Sequence, residues 1–239
     1  TLPQLRDQLQ KTLYLENIRI KADSWEVDPE DEREFWGKIK KRLLQADPAH
    51  MDEDISKEQH QEMLQDIMSR YANEIIAHFN PNMFWFARQL LVRVFARLFN
   101  SHFGGFKGIF NPQEKLKDKL VVAGPVEKLR NLSLKGTVIL VPTHFSNLDS
   151  AIIGFGMDYI GMPAFQYGAG LNLFNSKIFS FFAGNLGAYK LDRRKKNPIY
   201  LETLKSYSKT NVLAGAHTIF FPGGTRSRGG NILTELKLG

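Results

Sequence analysis

The strongest constraint on this chain is a change of hydrophobic period at Gly104-Gly105. Before it, apolar residues recur at helical spacing. Leu5 to Leu44 is helical in pattern and heavily charged, and Asp28-Pro29 reads as a helix start. Met63, Ile67, Tyr71, Ile75 and Phe79 stand four apart, which predicts one long amphipathic helix over Ile55 to Phe79, ended by Asn80-Pro81-Asn82, where the next begins. After the glycines, short β-branched runs alternate with helical stretches. Lys119 to Ala123, Thr137 to Pro142, Met162 to Gln166, Gly187 to Leu191 and Thr218 to Phe221 read as strands, the second almost wholly apolar as a central strand is. Ser146 to Asp158, Asn172 to Ala183 and Pro198 to Ala214 read as helices. Alternation of this kind predicts an α/β fold, a largely parallel sheet flanked by helices and preceded by an N-terminal helical region. The expected boundaries are 1–105 for the helical region and 106–239 for the α/β domain.

Charge follows the same division. The formal net charge is +7, but residues 1–80 hold 11 basic and 17 acidic side chains, so they carry −6 and the remainder +13. A basic surface admits nucleic acid, an anionic membrane surface or a phosphorylated substrate as partner. The chain has no Cys, which excludes a disulfide, a thiolate nucleophile and Cys-type zinc, and no His spacing matches a metal site, so no metal is expected. Thr1-Leu2-Pro3-Gln4 opens without an apolar signal segment, so cytoplasmic residence is expected, and a start on Thr rather than Met suggests processing or a trimmed chain. Asn131-Leu132-Ser133 reads as a surface turn rather than a used glycosylation site.

Met83 to Phe99 is the most apolar segment, yet Arg88, Arg93 and Arg97 interrupt it, so it is not expected to cross a bilayer. The arginines fall on one half of the helix and leave Phe84, Leu91, Phe95 and Leu98 on the other, a face for the core or for a membrane surface.

Three segments that follow strands carry candidate chemistry, because open α/β sheets place their sites beyond the C-terminal strand ends. In Thr143-His144-Phe145-Ser146-Asn147-Leu148-Asp149, His144 must precede a helix whose first turns hold Asp149, with Ser146 or Asn147 as N-cap. A carboxylate on one imidazole nitrogen leaves the other as a general base; the plainer reading is a loop histidine beside a helix-dipole partner. His50, His60, His78, His102 and His217 read as structural or solvated. In Phe221-Pro222-Gly223-Gly224-Thr225-Arg226-Ser227-Arg228-Gly229-Gly230, backbone N–H groups at Gly224 and Thr225, the Ser227 hydroxyl, and Arg226 and Arg228 suit a phosphate, against the alternative of a plain Gly-rich loop. Gly187 to Leu191 runs through Asp192 into Arg193-Arg194-Lys195-Lys196, a solvated basic run unless Arg193 turns into the same crevice.

Jointly the three blocks resemble the glycerolipid acyltransferase family: His-x4-Asp at His144 to Asp149, Gly-x4-Asp-Arg at Gly187 to Arg193, and Phe-Pro-x-Gly-Thr-Arg-Ser at Phe221 to Ser227. The resemblance covers residues 119–239. It implies transfer of a fatty acyl group from acyl-CoA or acyl carrier protein, with no cofactor beyond that thioester, to a hydroxyl of glycerol 3-phosphate or 1-acylglycerol 3-phosphate in phospholipid biosynthesis. His144 would be the base and Asp149 its orienting group, with Ser146 and Asn147 supporting. Arg193, Gly224, Thr225, Arg226, Ser227 and Arg228 would hold the acceptor phosphate. Gly223 stands where lysophosphatidate acyltransferases usually carry Glu, while Arg226-Ser227-Arg228-Gly229-Gly230 is similar to the glycerol 3-phosphate enzymes, so the acceptor stays open. The family's Pro-containing strand is missing before Gly239, which implies an incomplete C-terminus. The expected setting is peripheral, on the cytoplasmic face of a membrane. A nucleic-acid module explains the charge but not His-x4-Asp, and nucleic acid is not expected as a partner; a hydrolase lacks a Gly-x-Ser-x-Gly elbow. A different lipid acceptor is the remaining alternative.

Overall fold

The computed structural model describes the chain except residues 48, 50, 100–120, 145–148, 176–179, 182 and 223–239. The described residues form α1 (Leu2–Ala22), α2 (Glu32–Gln45), α3 (Glu53–Ile75), α4 (Pro81–Phe99), α5 (Val126–Ser133), α6 (Asp149–Tyr159) and α7 (Pro198–Leu213). Between them lie strands β1 (Ile139–Leu140), β2 (Gln166–Gly170), β3 (Ala188–Leu191) and β4 (Thr218–Ile219). The strand order is β1–β4–β2–β3, and β4 pairs in parallel with both β1 and β2. The fold is thus α/β with N-terminal helices, as the alternation predicts.

The chain divides into two units. The first joins Thr1–Ile76, Ala169–Phe181 and Tyr189–Thr210; the second joins Ala77–Gly168, Phe182–Ala188 and Asn211–Gly239. In the first unit, Met63, Ile67, Tyr71 and Ile75 are almost wholly buried, as their four-residue spacing requires. Phe79 breaks the series. It is 47% exposed and lies past the end of α3, where it forms an antiparallel bridge with Leu186 in the second unit. Asn80 then caps α4, its Oδ1 accepting from the N–H groups of Asn82 and Met83.

The first unit also buries a charged network. Arg19, 4% exposed at its side chain, donates to Glu16 at 2.7 Å and to Glu32 at 2.5 Å. Glu16 accepts in addition from the Tyr71 hydroxyl at 3.0 Å and from Asn197 Nδ2 at 2.6 Å. Arg194 ion-pairs with Asp28 and Asp192, and Lys195 with Glu74. These pairs explain why Asp28-Pro29 does not start α2. The Asp28 carboxylate accepts from Arg194 and the Trp25 N–H, Pro29 sits in a turn, and the helix begins at Glu32.

In the second unit, Ile160, Met162, Phe165 and Ile219 form a core against which Val138, Leu140, Met157 and Phe221 pack. Three expectations shift here. The strand placed at Met162 to Gln166 is found at Gln166–Gly170, because Gly161, at φ +76°, and the Met162 N–H bond to Met157 O close α6 first. Of the strand placed at Lys119 to Ala123, residues 119 and 120 lie outside the described residues and Val121 to Ala123 are irregular. Asn131-Leu132-Ser133 ends α5 instead of forming a turn; Arg130 secures that helix by donating from Nε to Ile160 O at 2.5 Å. Among the described residues β1 has a strand on one side only, so the central position belongs to β4, and Ile139 and Val141 remain 50% and 60% exposed.

Burial alone would raise the Asp28 pKa, but the hydrogen bonds from Arg194 and the Trp25 N–H, with the charges of Arg194 and Arg19, hold it below the ordinary 3.8. A carboxyl whose folded value is depressed adds stability that is complete above its unfolded value and is lost as pH falls through the folded one. Asp28→Asn is therefore expected to cost about 1–3 kcal/mol near neutrality, and less in acid, as pH falls below the carboxyl's unfolded value. Urea unfolding of both proteins near pH 7 and at about pH 3 checks this; an equal difference at both pH values contradicts the pairing.

Candidate active site

The second unit holds the His144–Asp149 pair. His144 follows β1 by four residues and Asp149 is the first residue of α6, so a strand end and a helix start converge on the two side chains. His144 Nδ1 lies 3.0 Å from Asp149 Oδ2, with the side chains 21% and 19% exposed. With its proton on Nδ1 the ring donates to the carboxylate, and Nε2 keeps a lone pair with no hydrogen-bond partner among the described residues. Asp149 also stands in the first turn of α6, where the helix dipole favours its negative charge. Anchoring of α6 comes from α4: Val92 packs on Ala151, Ile152 and Phe155, and Arg88 ion-pairs with Asp158 at 2.7 Å.

One neighbour of the pair that sequence reasoning missed is the ring of Phe221, 4.3 Å from the His144 ring centroid at an interplanar angle of 34°. Its cause is the sheet. The pairing Leu140↔Ile219 and the bond from Phe220 N to Leu140 O at 2.8 Å bring the residues beyond β4 beside those beyond β1. The signal was present, since both segments follow strands, but neighbouring in the sheet cannot be read from either segment alone. His217 is structural, its Nδ1 accepting from Val138 N at 3.0 Å, and His60 is fully buried with Nδ1 on Ser56 O at 2.7 Å.

Ser146, Asn147, Gly224, Thr225, Arg226, Ser227 and Arg228 lie outside the described residues. Arg193 is exposed and belongs to the first unit. Its neighbours are less exposed: Arg194 and Lys195, both ion-paired, have side chains 8% and 2% exposed. The basic run is therefore not one solvated face.

Residues 124–239, just under half of the chain, match the Acyltransferase family. Similar proteins include a glycerol-3-phosphate acyltransferase of Alteromonas mediterranea, 25% identical over 165 residues, covering 68% of this chain and 18% of the relative. Another, from Aeromonas hydrophila, is 32% identical over 121 residues, 50% of this chain and 15% of the relative. A mouse dihydroxyacetone phosphate acyltransferase is 29% identical over 111 residues, covering 46% and 16%. The chain's matches to the glycerol-3-phosphate acyltransferases span about a fifth of their length. No helix among the described residues is long and apolar enough to cross a membrane.

If Asp149 sets the His144 tautomer, side-chain 15N spectra will report His144 protonated at Nδ1, and Asp149→Ala will move the ring toward the Nε2-protonated form. An unchanged tautomer in the variant contradicts that role.

Proposed function

We propose that the protein transfers a fatty acyl group from acyl-CoA or an acyl carrier protein to a hydroxyl of glycerol 3-phosphate or 1-acylglycerol 3-phosphate. The observation that carries this reading is the 3.0 Å His144–Asp149 contact, with Nε2 left available, inside the stretch that matches the Acyltransferase family. His144 Nε2 removes the proton from the acceptor hydroxyl. The oxygen attacks the thioester carbonyl, the C–O bond forms, the C–S bond breaks, and the proton passes from His144 to the leaving thiolate. No covalent acyl-enzyme is involved. Phe221 limits rotation of the imidazole, and Asp149 holds the tautomer that exposes the lone pair.

Arg193, Arg226 and Arg228, with the N–H groups of Gly224 and Thr225 and the hydroxyl of Ser227, bind the acceptor phosphate in this reading, and Ser146 and Asn147 support the His144 turn. The protein works peripherally on the cytoplasmic face of a membrane. The exposure of Trp85 (61%) and Phe86 (46%) on α4 supports that placement, because aromatic side chains favour the bilayer interface.

Acyl transfer is measured with glycerol 3-phosphate, 1-acylglycerol 3-phosphate and dihydroxyacetone phosphate, each with both donor types. His144→Ala is expected to lower kcat by roughly 100- to 10,000-fold without a change in thermal midpoint. Retention of most activity sinks the mechanism. Arg226→Ala is expected chiefly to raise the acceptor KM, because phosphate binding is common to ground and transition states; an unchanged KM removes Arg226 from the site.

A further inference from the structure

Arg193 is exposed, but the residues on either side of it, Asp192 and Arg194, have side chains only 8% exposed. Asp192 Oδ1 accepts the Arg194 N–H at 3.0 Å, which closes an Asx-turn with Arg193 at its centre. Lys195 N donates to Asp192 O at 3.1 Å across the same turn, and Asp192 N donates to the Tyr200 hydroxyl at 2.8 Å.

The Arg194 guanidinium ties this turn to the segment between α1 and α2. Toward the turn it donates from Nε and Nη2 to the two Asp192 oxygens at 2.9 and 2.8 Å. Away from it, Nη1 donates to Asp23 O at 2.7 Å and to Asp28 Oδ2 at 3.1 Å, and Nη2 donates to Asp28 Oδ1. The guanidinium carbon stands 4.2 Å from the centroid of the Trp25 ring. A guanidinium has five N–H groups, and all five are engaged in these bonds. None is left for a ligand, so whatever Arg194 contributes to anion binding passes through the backbone it holds. Forked contacts of this kind fix geometry as well as charge.

We propose that Arg194 is a positioning residue for the acceptor phosphate and acts through Arg193. By joining the Asp192–Lys195 turn to Asp23, Trp25 and Asp28, it fixes the place from which Arg193 meets the anion. The inference rests on the assignment of Arg193 to that phosphate in the acyl-transfer reading, and adds to it a part for the N-terminal helical region in acceptor recognition. A turn ordered in advance strengthens binding because the cost of ordering it is not met on association.

Calorimetric titration of the full chain with glycerol 3-phosphate and with 1-hexanoylglycerol 3-phosphate tests it, and whichever binds wild type more tightly is carried through the variants. Arg193→Ala is expected to weaken binding roughly tenfold or more, and Arg194→Gln by about three- to tenfold although it takes no donor from the ligand. In the Arg193→Ala background, Arg194→Gln should bring no further loss, because its route to the ligand is gone. A merely structural effect of Arg194 would repeat its full factor there. The proposal alone is overturned if Arg193→Ala weakens binding while Arg194→Gln binds as wild type does, or if the two losses multiply. If Arg194→Gln does not fold, Asp28→Asn, which leaves Arg194 on Asp192, is put through the same cycle and decides by the same outcomes. Unaltered binding in Arg193→Ala, or a wild-type protein that binds neither probe, overturns the proposal together with the place of Arg193 in the phosphate site. The expected binding pattern in a protein without transferase activity removes the proposed reaction and leaves this inference standing.

Discussion

The carboxylate of Glu16 sets the terms for the first unit. It is 1% exposed, and a bare negative charge there would cost several kcal/mol. Three donors offset that cost: Arg19 one turn along α1, the hydroxyl of Tyr71 on α3, and the side-chain amide of Asn197 just before α7. Each donor brings its own obligations. Arg19 is shared with Glu32 of α2, whose Oε1 also accepts from the Trp36 indole, and Asn197 Oδ1 accepts the Tyr200 N–H. Three helices and a segment 181 residues away in sequence are thereby held to one geometry, since leaving any member unpaired strands a buried polar group.

That network gives the uneven charge of the chain a structural meaning. The −6 of residues 1–80 is not simply an acidic surface. Asp28 and Glu74 accept Arg194 and Lys195 from the basic remainder, so these two cations are consumed internally. What looked like a basic patch is divided: Arg193 and Lys196 are exposed, while Arg194 also stacks on Trp25 at 4.2 Å. A run of like charges in sequence says nothing about which members have partners far along the chain.

The same distinction explains how much was legible beforehand. Features set by local spacing were readable, including the four-residue stripe of α3 and the His-x4-Asp segment, whose two side chains meet because a strand end and a helix start are adjacent in sequence. Alternation of strands with helices was enough for the α/β class. Features set by distant partners were not readable. Phe79 continues the helical stripe by spacing, yet it is drawn to Leu186. The run Met162 to Gln166 has strand composition, but Met162 and Phe165 are core residues and pairing starts only at Gln166, opposite Thr218. The apolar run Thr137 to Pro142 reads as a central strand, whereas β4, with two described residues, has neighbours on both sides.

Parallel pairing therefore matters more to the candidate site than strand length does. Two residue pairs join β1 to β4, and that short register decides which side chain lies beside His144. Because successive residues on a strand face opposite ways, a shift of one residue would replace Phe221 with a neighbour directed to the other face. A two-residue strand resists such a shift weakly by hydrogen bonds alone. Packing supplies the rest. Ile219 is 5% exposed in a core with Ile160, Met162 and Phe165, and the His217 imidazole accepts the Val138 N–H one residue before β1 begins. A slip would bring Thr218 or Phe220 into the place of Ile219 and break the His217 bond. The position of the imidazole at the strand end is thus fixed by side chains beneath the sheet that take no part in the proposed chemistry.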